Sequence, residues 1–400
     1  MTSVESEFSA PNEEIYDSSY EINTWDELDL NPKLLRGIFA YGFEKPSPIQ
    51  QKAIKPIILG KDVVAQAQSG TGKTATFTIG ALANVDVTNN NTQVLVLSPT
   101  KELTIQTAKV FENLGCMMEG LRIQRLYGGS VVEEGSSFSN KNVPHVICGC
   151  PGRVHDMMRR DRISSKKIRT VILDEADEML SAGFKDQVYN IFQYFSNDIQ
   201  VILVSATLPE SINSIVDKIM RDPVKICVKR EMLTLEGIKQ FYIAVDDDRQ
   251  KYATLKDLFS YLSVSQCIIY SNSIKRVQDL YEAMKEDEFP VCRIHSNMDK
   301  SERETAFNEF RGGKSRVLIS SNVTARGIDI QQVSIVINFD LPKCVNTYLH
   351  RIGRSGRWGR KGVGINFITR RDLGKMKEIE SHYSTQINEM PGDLAFLASC

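Results

Sequence analysis

The chain has 400 residues, of which 42% are hydrophobic and 25% charged, and its 49 basic and 50 acidic side chains leave a formal net charge of −1. At about 100–200 residues per domain, this length and composition predict a globular protein of two domains and exclude disorder over most of the chain. No run approaches the roughly 18–20 uninterrupted apolar residues of a membrane helix, and the first residues lack a secretory or mitochondrial targeting pattern. We therefore expect no membrane span, no secretion and no mitochondrial import.

The N-terminal end differs in charge from the rest of the chain. Residues 1–32 contain nine acidic side chains and no Lys or Arg, which leaves 49 basic and 41 acidic groups in the remainder. We interpret residues 1–23 as an acidic flexible tail surrounded by solvent. The mildly basic remainder is compatible with a polyanionic partner in a cleft, although it does not require one.

Short β-branched runs alternate with helical periodicity in two stretches of the chain. The first stretch contains runs at 62–65, 94–98, 145–148, 171–174 and 201–205. The second stretch contains runs at 267–271, 291–294, 316–320, 334–338 and 364–367. Apolar runs of this length, each followed by a helix, predict buried parallel strands and an α/β fold with two open parallel sheets.

The segment between the two stretches predicts a hinge. Asp222-Pro223 closes a helical segment, and the polar residues 229–236 follow it. We therefore predict a first domain at 24–228, a linker at 229–236 and a second domain at 237–398. Since ligands of open parallel sheets bind at the carboxyl ends of the strands, the residues just after each run are the candidate functional residues.

The first run leads into a segment with the spacing of a phosphate loop, except that Ala67 replaces the usual first Gly. Its two glycines permit positive φ, so that backbone N–H groups can point at phosphate oxygens. Lys73 can contact the β- and γ-phosphates, and the Thr74 hydroxyl can ligate Mg²⁺. The alternative is a glycine-rich turn without a ligand. The pattern predicts a nucleoside triphosphate bound by Ser69, Gly70, Thr71, Gly72, Lys73 and Thr74.

The run at 171–174 ends in the sequence Asp-Glu-Ala-Asp at 174–177. Asp174 at the strand tip can hold Mg²⁺, and Glu175 can orient and deprotonate the attacking water of a phosphoryl transfer. Acidic residues after a strand also satisfy the dipole of a following helix, which is the alternative interpretation. The phosphate loop upstream favours the catalytic interpretation.

A basic segment follows the fourth run of the second stretch. Five cationic or imidazole side chains lie within 11 residues: His350, Arg351, Arg354, Arg357 and Arg360. Planar guanidinium groups suit the charge that builds on a transferring phosphate. A solvated basic loop is the alternative. We predict that Arg354 and Arg357 are arginine fingers delivered across the cleft, so that catalysis depends on domain closure.

The order of these motifs resembles that of the DEAD-box RNA helicases. The resemblance covers residues 25–390, and its additional motifs are Gly42 to Gln50, Ser205-Ala-Thr207 and Ala325-Arg-Gly-Ile-Asp329. Within the family, the chain is most similar to the initiation factor 4A subfamily, because it is little more than the two-domain core. The resemblance implies two tandem RecA-like domains, ATP with Mg²⁺ as the ligands, and RNA-dependent ATP hydrolysis.

The same resemblance assigns further residues to the nucleotide. Gln50 would recognise adenine through its amide, and Phe43 and the upstream aromatic Trp25 would lie beside it. Trp358 would stack on adenine, and Asp329 would lie near the ribose. Trp25 could instead be a core residue and Trp358 an exposed ring. Residues implied to couple hydrolysis to RNA binding are Asp177, Ser205, Thr207, His350 and Arg351.

The remaining family motifs imply a track for single-stranded RNA. They combine hydroxyls, loop N–H groups and cations, which bind phosphates and sugars and do not distinguish bases. These motifs are Pro99, Thr100, Lys101, Gly128, Gly129, Pro151, Gly152, Arg153, Ser271, Asn272, Arg303, Ser320 and Ser321. Four positions depart from the family pattern: Lys101 (usually Arg), Cys150 (Thr), Lys300 (Gln) and Asn322 (Asp).

We expect an ATP-dependent RNA helicase that unwinds short duplexes, in translation initiation by resemblance. The alternative is an ATP-gated RNA clamp, or a helicase of ribosome biogenesis or splicing, with weak unwinding. A structural scaffold with a decayed ATP site conflicts with the intact residues Lys73, Glu175 and Arg357. A motor that acts on DNA is another alternative, which a comparison of RNA and DNA as stimulators of ATP turnover would test. We further expect a monomeric core, a scaffold protein that bridges both domains, and a cytoplasmic location with the nucleus as the alternative.

Overall fold

The structure is a computed structural model that describes residues 18–67, 71–129, 142–180, 183–196, 198–208, 210–227, 238–261, 266–322, 333–355 and 362–391. Within these residues, the strands form two separate sheets of seven, and every strand pair is parallel. This arrangement confirms the predicted α/β class with two parallel-sheet units. The predicted tail and linker (1–23 and 229–236) lie largely or wholly outside the described residues, and the predicted domain limits stay predictions.

The first unit spans the N-terminal half. Its strands are β1 (Val63–Gln66), β2 (Val94–Leu97), β3 (Ile123–Leu126), β4 (Val146–Gly149), β5 (Thr170–Asp174), β6 (Gln200–Ser205) and β7 (Val224–Cys227). Their order across the sheet is β3-β4-β2-β5-β6-β1-β7. Its helices are α1 (Pro32–Ala40), α2 (Pro48–Ile58), α3 (Lys73–Ala83), α4 (Lys101–Leu114), α5 (Pro151–Arg159), α6 (Ala176–Met179), α7 (Lys185–Phe192) and α8 (Glu210–Ile219).

The second unit repeats this architecture. Its strands are β8 (Ile238–Ala244), β9 (Cys267–Tyr270), β10 (Val291–Ile294), β11 (Val317–Ser320), β12 (Ile335–Asn338), β13 (Gly362–Ile368) and β14 (Asn388–Glu389). Their order is β10-β11-β9-β12-β13-β8-β14. Its helices are α9 (Gln250–Tyr261), α10 (Ile274–Glu286), α11 (Lys300–Arg311), α12 (Val345–Ile352) and α13 (Leu373–Tyr383).

The central strands are apolar along their whole length because helices cover both faces of each sheet. In β1, Val63 and Ala65 pack into the cluster on one face, and Val64 packs into the cluster on the other. Strand side chains alternate between faces, so a strand buried on both sides must be apolar at every position. This requirement explains why short continuous apolar runs predicted the strands correctly.

All ten predicted strands are present, and the structure adds four that the sequence analysis did not predict: β3, β7, β8 and β14. Strands β3, β7 and β14 are three of the four edge strands of the two sheets, and β8 lies next to the edge strand β14. The edge strand Ile123–Leu126 is only partly buried and includes Gln124 and Arg125. Edge strands lack the continuous apolar pattern because one side meets solvent. None of the helices described is long and apolar enough to cross a membrane.

Candidate nucleotide and RNA site

The start of α3 forms the described part of the phosphate loop. Gly72 has φ of +99°, and a Cβ at this position would lie 2.8 Å from Nε2 of Gln50. The Ser47 hydroxyl donates to the Thr71 carbonyl at 2.8 Å. Gly72 is therefore required both for its conformation and for close packing against α2. Ser69 and Gly70 of the predicted loop lie outside the described residues.

The predicted catalytic carboxylates are buried beside Lys73. Asp174, Glu175 and Lys73 are 2%, 5% and 7% exposed. Glu175 has φ of +52° at the turn between β5 and α6, an uncommon conformation for a residue other than glycine and one that often marks a functional site. Its Oε2 atom is buried without a hydrogen-bond partner. An ionisable oxygen left unpaired in this way is expected to receive its partner from a ligand.

Burial dominates the electrostatics of this group. It lowers the pKa of Lys73, and the nearby carboxylates of Glu175 and Asp174 oppose that effect. Burial and the charge of Glu175 raise the pKa of Asp174 above its ordinary value, while Lys73 opposes the rise. The charges are close enough to perturb one another, as is common in sites that bind charged ligands. The hydroxyl of Thr74, half-buried at the start of α3, and the Asp174 carboxylate are oxygen donors of the type that Mg²⁺ prefers.

The residues assigned to adenine have distinct placements. Trp25 is 2% exposed and belongs to the hydrophobic core, and its Nε1 donates to the Phe43 carbonyl at 3.0 Å. Phe43 is half-buried, with its ring centroid 4.9 Å from that of Tyr41. The Oε1 atom of Gln50 accepts a hydrogen bond from the Ser47 backbone, as part of a capping box. Trp25 thus supports the Phe43 segment from the core, which is the alternative considered above.

The two domains contact each other directly at the acidic motif. Nε2 of His350 lies 3.0 Å from Oδ2 of Asp177, and both side chains are almost fully buried. The same Asp177 oxygen accepts a hydrogen bond from Thr207 at 2.7 Å, and the Asp177 backbone donates to the Ser205 hydroxyl at 3.3 Å. Four of the five predicted coupling residues therefore form one cluster that spans the interface. The fifth, Arg351, is buried in the second domain.

The arginine motif approaches the phosphate loop from the second domain. Arg354 is 5% exposed, and its charge adds a minor contribution to the lowering of the Lys73 pKa, which burial dominates. Its Nε donates to the His350 carbonyl at 3.3 Å. The other predicted residues of this side, Arg357, Trp358 and Asp329, lie outside the described residues.

In the first domain, the residues assigned to RNA lie at the carboxyl ends of three neighbouring strands. Pro99 and Thr100 follow β2, Gly128 and Gly129 follow β3, and Pro151, Gly152 and Arg153 follow β4. Thr100 caps α4, where its hydroxyl accepts from the Leu103 backbone at 3.2 Å. Helix α5 begins without a side-chain cap. Pro151 has no N–H group and the Arg153 N–H donates to the Cys150 carbonyl at 3.1 Å, so the Gly152 N–H is the group of the first turn that a phosphate can bind.

In the second domain, Ser271 and Asn272 follow β9, and Ser320 and Ser321 lie at the end of β11. The Ser271 hydroxyl is buried without a partner. Both ends of the Asn272 amide bind protein, because Oδ1 accepts from Arg351 at 2.8 Å and Nδ2 donates to the Leu341 carbonyl at 2.8 Å. The Ser320 hydroxyl donates to the carbonyl of Ile294. In this arrangement Ser271 offers RNA a hydroxyl, whereas the Asn272 side chain binds protein.

Two predicted RNA cations meet carboxylates of the opposite domain. Lys101 lies 3.4 Å from Glu304, and Arg303 lies 4.0 Å from Glu102. Both pairs border a cavity of about 500 Å³ between α4 and α11. Phosphates compete with carboxylates for such exposed pairs, whose net energy in water is small. RNA binding can therefore release these cations from their partners.

Buried polar atoms without a hydrogen-bond partner cluster at the two predicted ligand sites. Within the described residues they include Ser98 Oγ, Arg153 Nε, Glu175 Oε2, Ser271 Oγ, both ring nitrogens of His295, Arg303 Nε and Nδ1 of His350. Sequence reasoning did not select Ser98 and His295. Ser98 is the last residue of the predicted run 94–98, and His295 follows the run 291–294. The rule that ligands bind at the carboxyl ends of parallel strands could therefore have found both.

Three of the four departures from the family pattern have described contacts. Lys101 pairs with Glu304 as above, and Cys150 Sγ lies 3.4 Å from the Thr104 hydroxyl. Asn322 Oδ1 accepts two hydrogen bonds from Arg351, at 2.9 and 2.6 Å. Lys300 begins α11. Lys101, Cys150 and Asn322 are therefore accommodated within the fold, and none of the four departures lies in the phosphate loop or the acidic motif.

Comparison with known families and proteins agrees with this geometry. Residues 47–215 match the DEAD/DEAH box helicase family, and residues 250–359 match the helicase conserved C-terminal domain. The chain is 49% identical to the ATP-dependent RNA helicase eIF4A of Schizosaccharomyces pombe, over 96% of this chain and 98% of the relative. It is also 49% identical to eukaryotic initiation factor 4A of Caenorhabditis elegans, over 94% and 93% of the two chains.

The chain is similar to different degrees to two solved complexes of one relative. The TM-score is 0.86 to S. cerevisiae Dbp5 bound to RNA and ADP BeF3, at 35% identity and over 93% of this chain and 96% of that one. It is 0.64 to a point variant of Dbp5 bound to Nup159, a variant of Gle1, IP6 and ADP, at 32% identity and over 91% and 96%. The overall structure described here is thus more similar to Dbp5 bound to RNA and a nucleotide analogue than to the latter complex. The chain belongs to the DEAD-box family of ATP-dependent RNA helicases.

Proposed function

We propose that this protein is an ATP-dependent RNA helicase that binds single-stranded RNA without sequence preference and unwinds short duplexes during translation initiation. The contact between His350 and Asp177 carries this proposal, because it joins the second domain to the acidic motif beside the phosphate loop. One ATP site is thereby assembled from two domains. The names of the relatives support a helicase of initiation, and they do not favour an RNA clamp.

The residues of the first domain perform the chemistry. Lys73 holds the β- and γ-phosphates, and the buried Glu175 carboxylate aligns the attacking water and accepts its proton. Thr74 and Asp174 would hold Mg²⁺, which neutralises phosphate charge when it is bound. Arg354 and Arg357 from the second domain stabilise the charge that develops on the transferred phosphoryl group. Water is excluded from these groups when the domains close.

Closure also couples hydrolysis to RNA. The RNA residues lie on both domains, so a bound strand brings the two halves together and thereby places His350 and Arg354 at the ATP site. Contacts made mainly to phosphates and sugars give no sequence preference. Bending of the gripped strand destabilises a short duplex, and phosphate release reopens the cleft. We further propose a cytoplasmic location, a monomeric core and a scaffold protein that spans both domains and promotes closure.

The substitution Glu175→Gln tests the proposed function. Glutamine retains the size of the side chain but cannot accept the proton of water, so RNA-stimulated ATP turnover should fall at least ~100-fold. RNA should remain bound in the presence of ATP, because the binding residues are intact. The measurements are RNA-stimulated phosphate release, filter binding of an oligoribonucleotide and displacement of a short duplex strand. Unchanged ATP turnover in this variant, or equal stimulation of the wild-type protein by DNA, would contradict the proposal.

A further inference from the structure

A group of four charges, of which Lys251 and Asp340 are buried, lies at the carboxyl ends of β9 and β12 and belongs to neither predicted ligand site. The carboxylate of Asp340 is its centre. Oδ1 of Asp340 lies 3.2 Å from Nζ of Lys251 and 2.8 Å from Nη2 of Arg276. Both cations also contact Asp248, at 2.9 and 3.4 Å. Two carboxylates therefore balance two cations, and the Lys251 side chain is only 3% exposed.

The second oxygen of this carboxylate holds the RNA loop. Oδ2 of Asp340 accepts a hydrogen bond from the Asn272 backbone at 3.0 Å. Because the two cations bind the first oxygen, the second oxygen is held in one direction, toward that N–H group. The adjacent Ser271 hydroxyl is buried without a partner and is the group that this loop offers to RNA. The carboxylate thus helps to hold the backbone beside that hydroxyl, together with the hydrogen bond from the Ser271 N–H to the Ser320 carbonyl at 3.0 Å.

The backbone of the same residue holds the segment that reaches the ATP site. The Asp340 carbonyl accepts from Nη1 of Arg351 at 2.8 Å, and Nη2 of Arg351 donates to Oδ1 of Asn272 at 2.8 Å. These three residues form a closed triangle of hydrogen bonds. His350, the residue before Arg351, contacts Asp177 in the first domain. A displacement of the RNA loop is therefore transmitted to the ATP side through a short covalent and hydrogen-bonded path.

We propose that Asp340 is a positioning residue that holds the RNA-contacting loop at Ser271 and the Arg351–His350 segment in one fixed relation. Lys251 and Arg276 orient its carboxylate for this task. This inference rests on the proposed function, because it concerns the coupling of RNA binding to ATP hydrolysis. The competing explanation is that Asp340 only neutralises the buried Lys251 and the half-buried Arg276 and stabilises the second domain.

Two substitutions in the same network separate these explanations. Asp340→Ala removes the acceptor of the Asn272 N–H group together with the buried ion pairs. Lys251→Met removes one cation of the same network and leaves the contact between Asp340 and Asn272 in place. Both variants lose a buried ion pair, so both are expected to unfold at lower temperature than the wild-type protein. Only Asp340→Ala is expected to disturb the RNA loop.

The readout is ATP turnover of the full chain as a function of the concentration of a single-stranded oligoribonucleotide, together with thermal unfolding. We expect Asp340→Ala to raise the RNA concentration for half-maximal turnover about tenfold, as for the loss of a hydrogen bond to a charged group. Lys251→Met should change it less than about twofold, because Arg276 still binds the first oxygen of Asp340 and the second oxygen keeps the Asn272 N–H group. Equal shifts in both variants, or no shift in Asp340→Ala, would overturn the proposal.

A third variant keeps the test decisive if alanine prevents folding. Asp340→Asn retains the size of the side chain and is measured in the same titration against Lys251→Met. A larger shift than that of Lys251→Met supports the positioning role, and an equal shift overturns it. The wild-type titration reports separately on the proposed function. Absence of RNA stimulation there rejects the helicase, whereas a stimulated wild type with an unaltered Asp340→Ala titration rejects only the role of Asp340.

Discussion

Lys73 in the first domain and Arg351 in the second are both buried cations near the interface, and their surroundings differ. In the first, Lys73 faces the carboxylates of Asp174 and Glu175. In the second, the hydrogen-bond acceptors described for Arg351 are all neutral. They are the side-chain oxygens of Asn272, Asn322 and Asn338 and the carbonyl of Asp340. The ring of Tyr270 lies 5.1 Å from the guanidinium carbon and adds a cation–π contact.

This difference indicates what each domain contributes. Around Lys73, one carboxylate oxygen of Glu175 has no partner, and the pKa values of Lys73 and Asp174 are shifted. Such a site suits charges that rearrange when a phosphate ligand binds. The planar guanidinium of Arg351 instead matches several fixed oxygens, which specifies geometry. Burial lowers the pKa of Arg351 to about 10, so the group remains charged at neutral pH. We therefore expect the surroundings of Lys73 to serve the chemistry, and those of Arg351 to provide a rigid frame for RNA and closure.

The largest expected effect comes from removing the cation of the first domain. Lys73→Ala should lower RNA-stimulated ATP turnover ~10²–10³-fold, since it removes a preorganised charge that stabilises the transferred phosphoryl group. Steady-state phosphate release measures this. Lys61→Ala, at an exposed lysine just before β1, is the matched control and should leave turnover unchanged. Retention of more than about a tenth of wild-type turnover in Lys73→Ala would show that charge is not the main contribution of this domain.

A smaller effect is expected when the second cation is exchanged for one of the same charge. Arg351→Lys keeps the charge but loses the planar fork that binds several oxygens, and burial favours the neutral amine. We expect RNA stimulation of ATP turnover to fall about tenfold, while RNA-free turnover changes little. Arg293→Lys, at an arginine that pairs with Glu282 near the surface, should have no such effect. Normal stimulation in Arg351→Lys would mean that charge suffices there as well.

The smallest effect is expected from a substitution that adds a carboxylate to the neutral surroundings of Arg351 and so makes them more like those of Lys73. Asn322→Asp places a carboxylate where Oδ1 already accepts two hydrogen bonds from Arg351. Because charge-assisted hydrogen bonds are stronger than neutral ones, we expect the free energy of unfolding to rise by about 0.5–1 kcal/mol. Urea denaturation measures the change, and Asn113→Asp on the exposed face of α4 is the control. A loss of stability in Asn322→Asp would show that the neutral frame is itself the optimum.

Much of this protein could be predicted from local sequence. Central strands buried on both faces must be continuously apolar, and the phosphate loop must place Gly72 and Lys73 between a strand and a helix. Such features depend on a few neighbouring residues, so the sequence displays them directly. The order of motifs then identified the family, which the comparisons confirm. Three of the four edge strands, β3, β7 and β14, were missed because their residues do not form a continuous apolar run, whereas the edge strand β10 was predicted.

The roles of single side chains were harder to predict. Trp25 occupies the place of a family aromatic, yet the structure buries it in the core with its indole N–H bonded to Phe43. Asn272 lies in an RNA motif, but its side-chain amide forms hydrogen bonds with Arg351 and with the Leu341 carbonyl. Asp340 carried no motif signal, although it touches both segments. In each case the deciding partner is distant in sequence, so no local pattern records the contact.

By itself, the sequence determined the α/β class, the two repeated sheet units, the phosphate loop, the acidic motif and the family, because each depends on periodicity or on short fixed spacing. Only the tertiary structure decided which oxygen of Glu175 lacks a partner, that His350 reaches Asp177 across the domain interface, and that Arg351 is held by neutral groups. These are properties of distances between residues up to 173 positions apart. Packing sets such distances, and a linear pattern of residue types does not encode them.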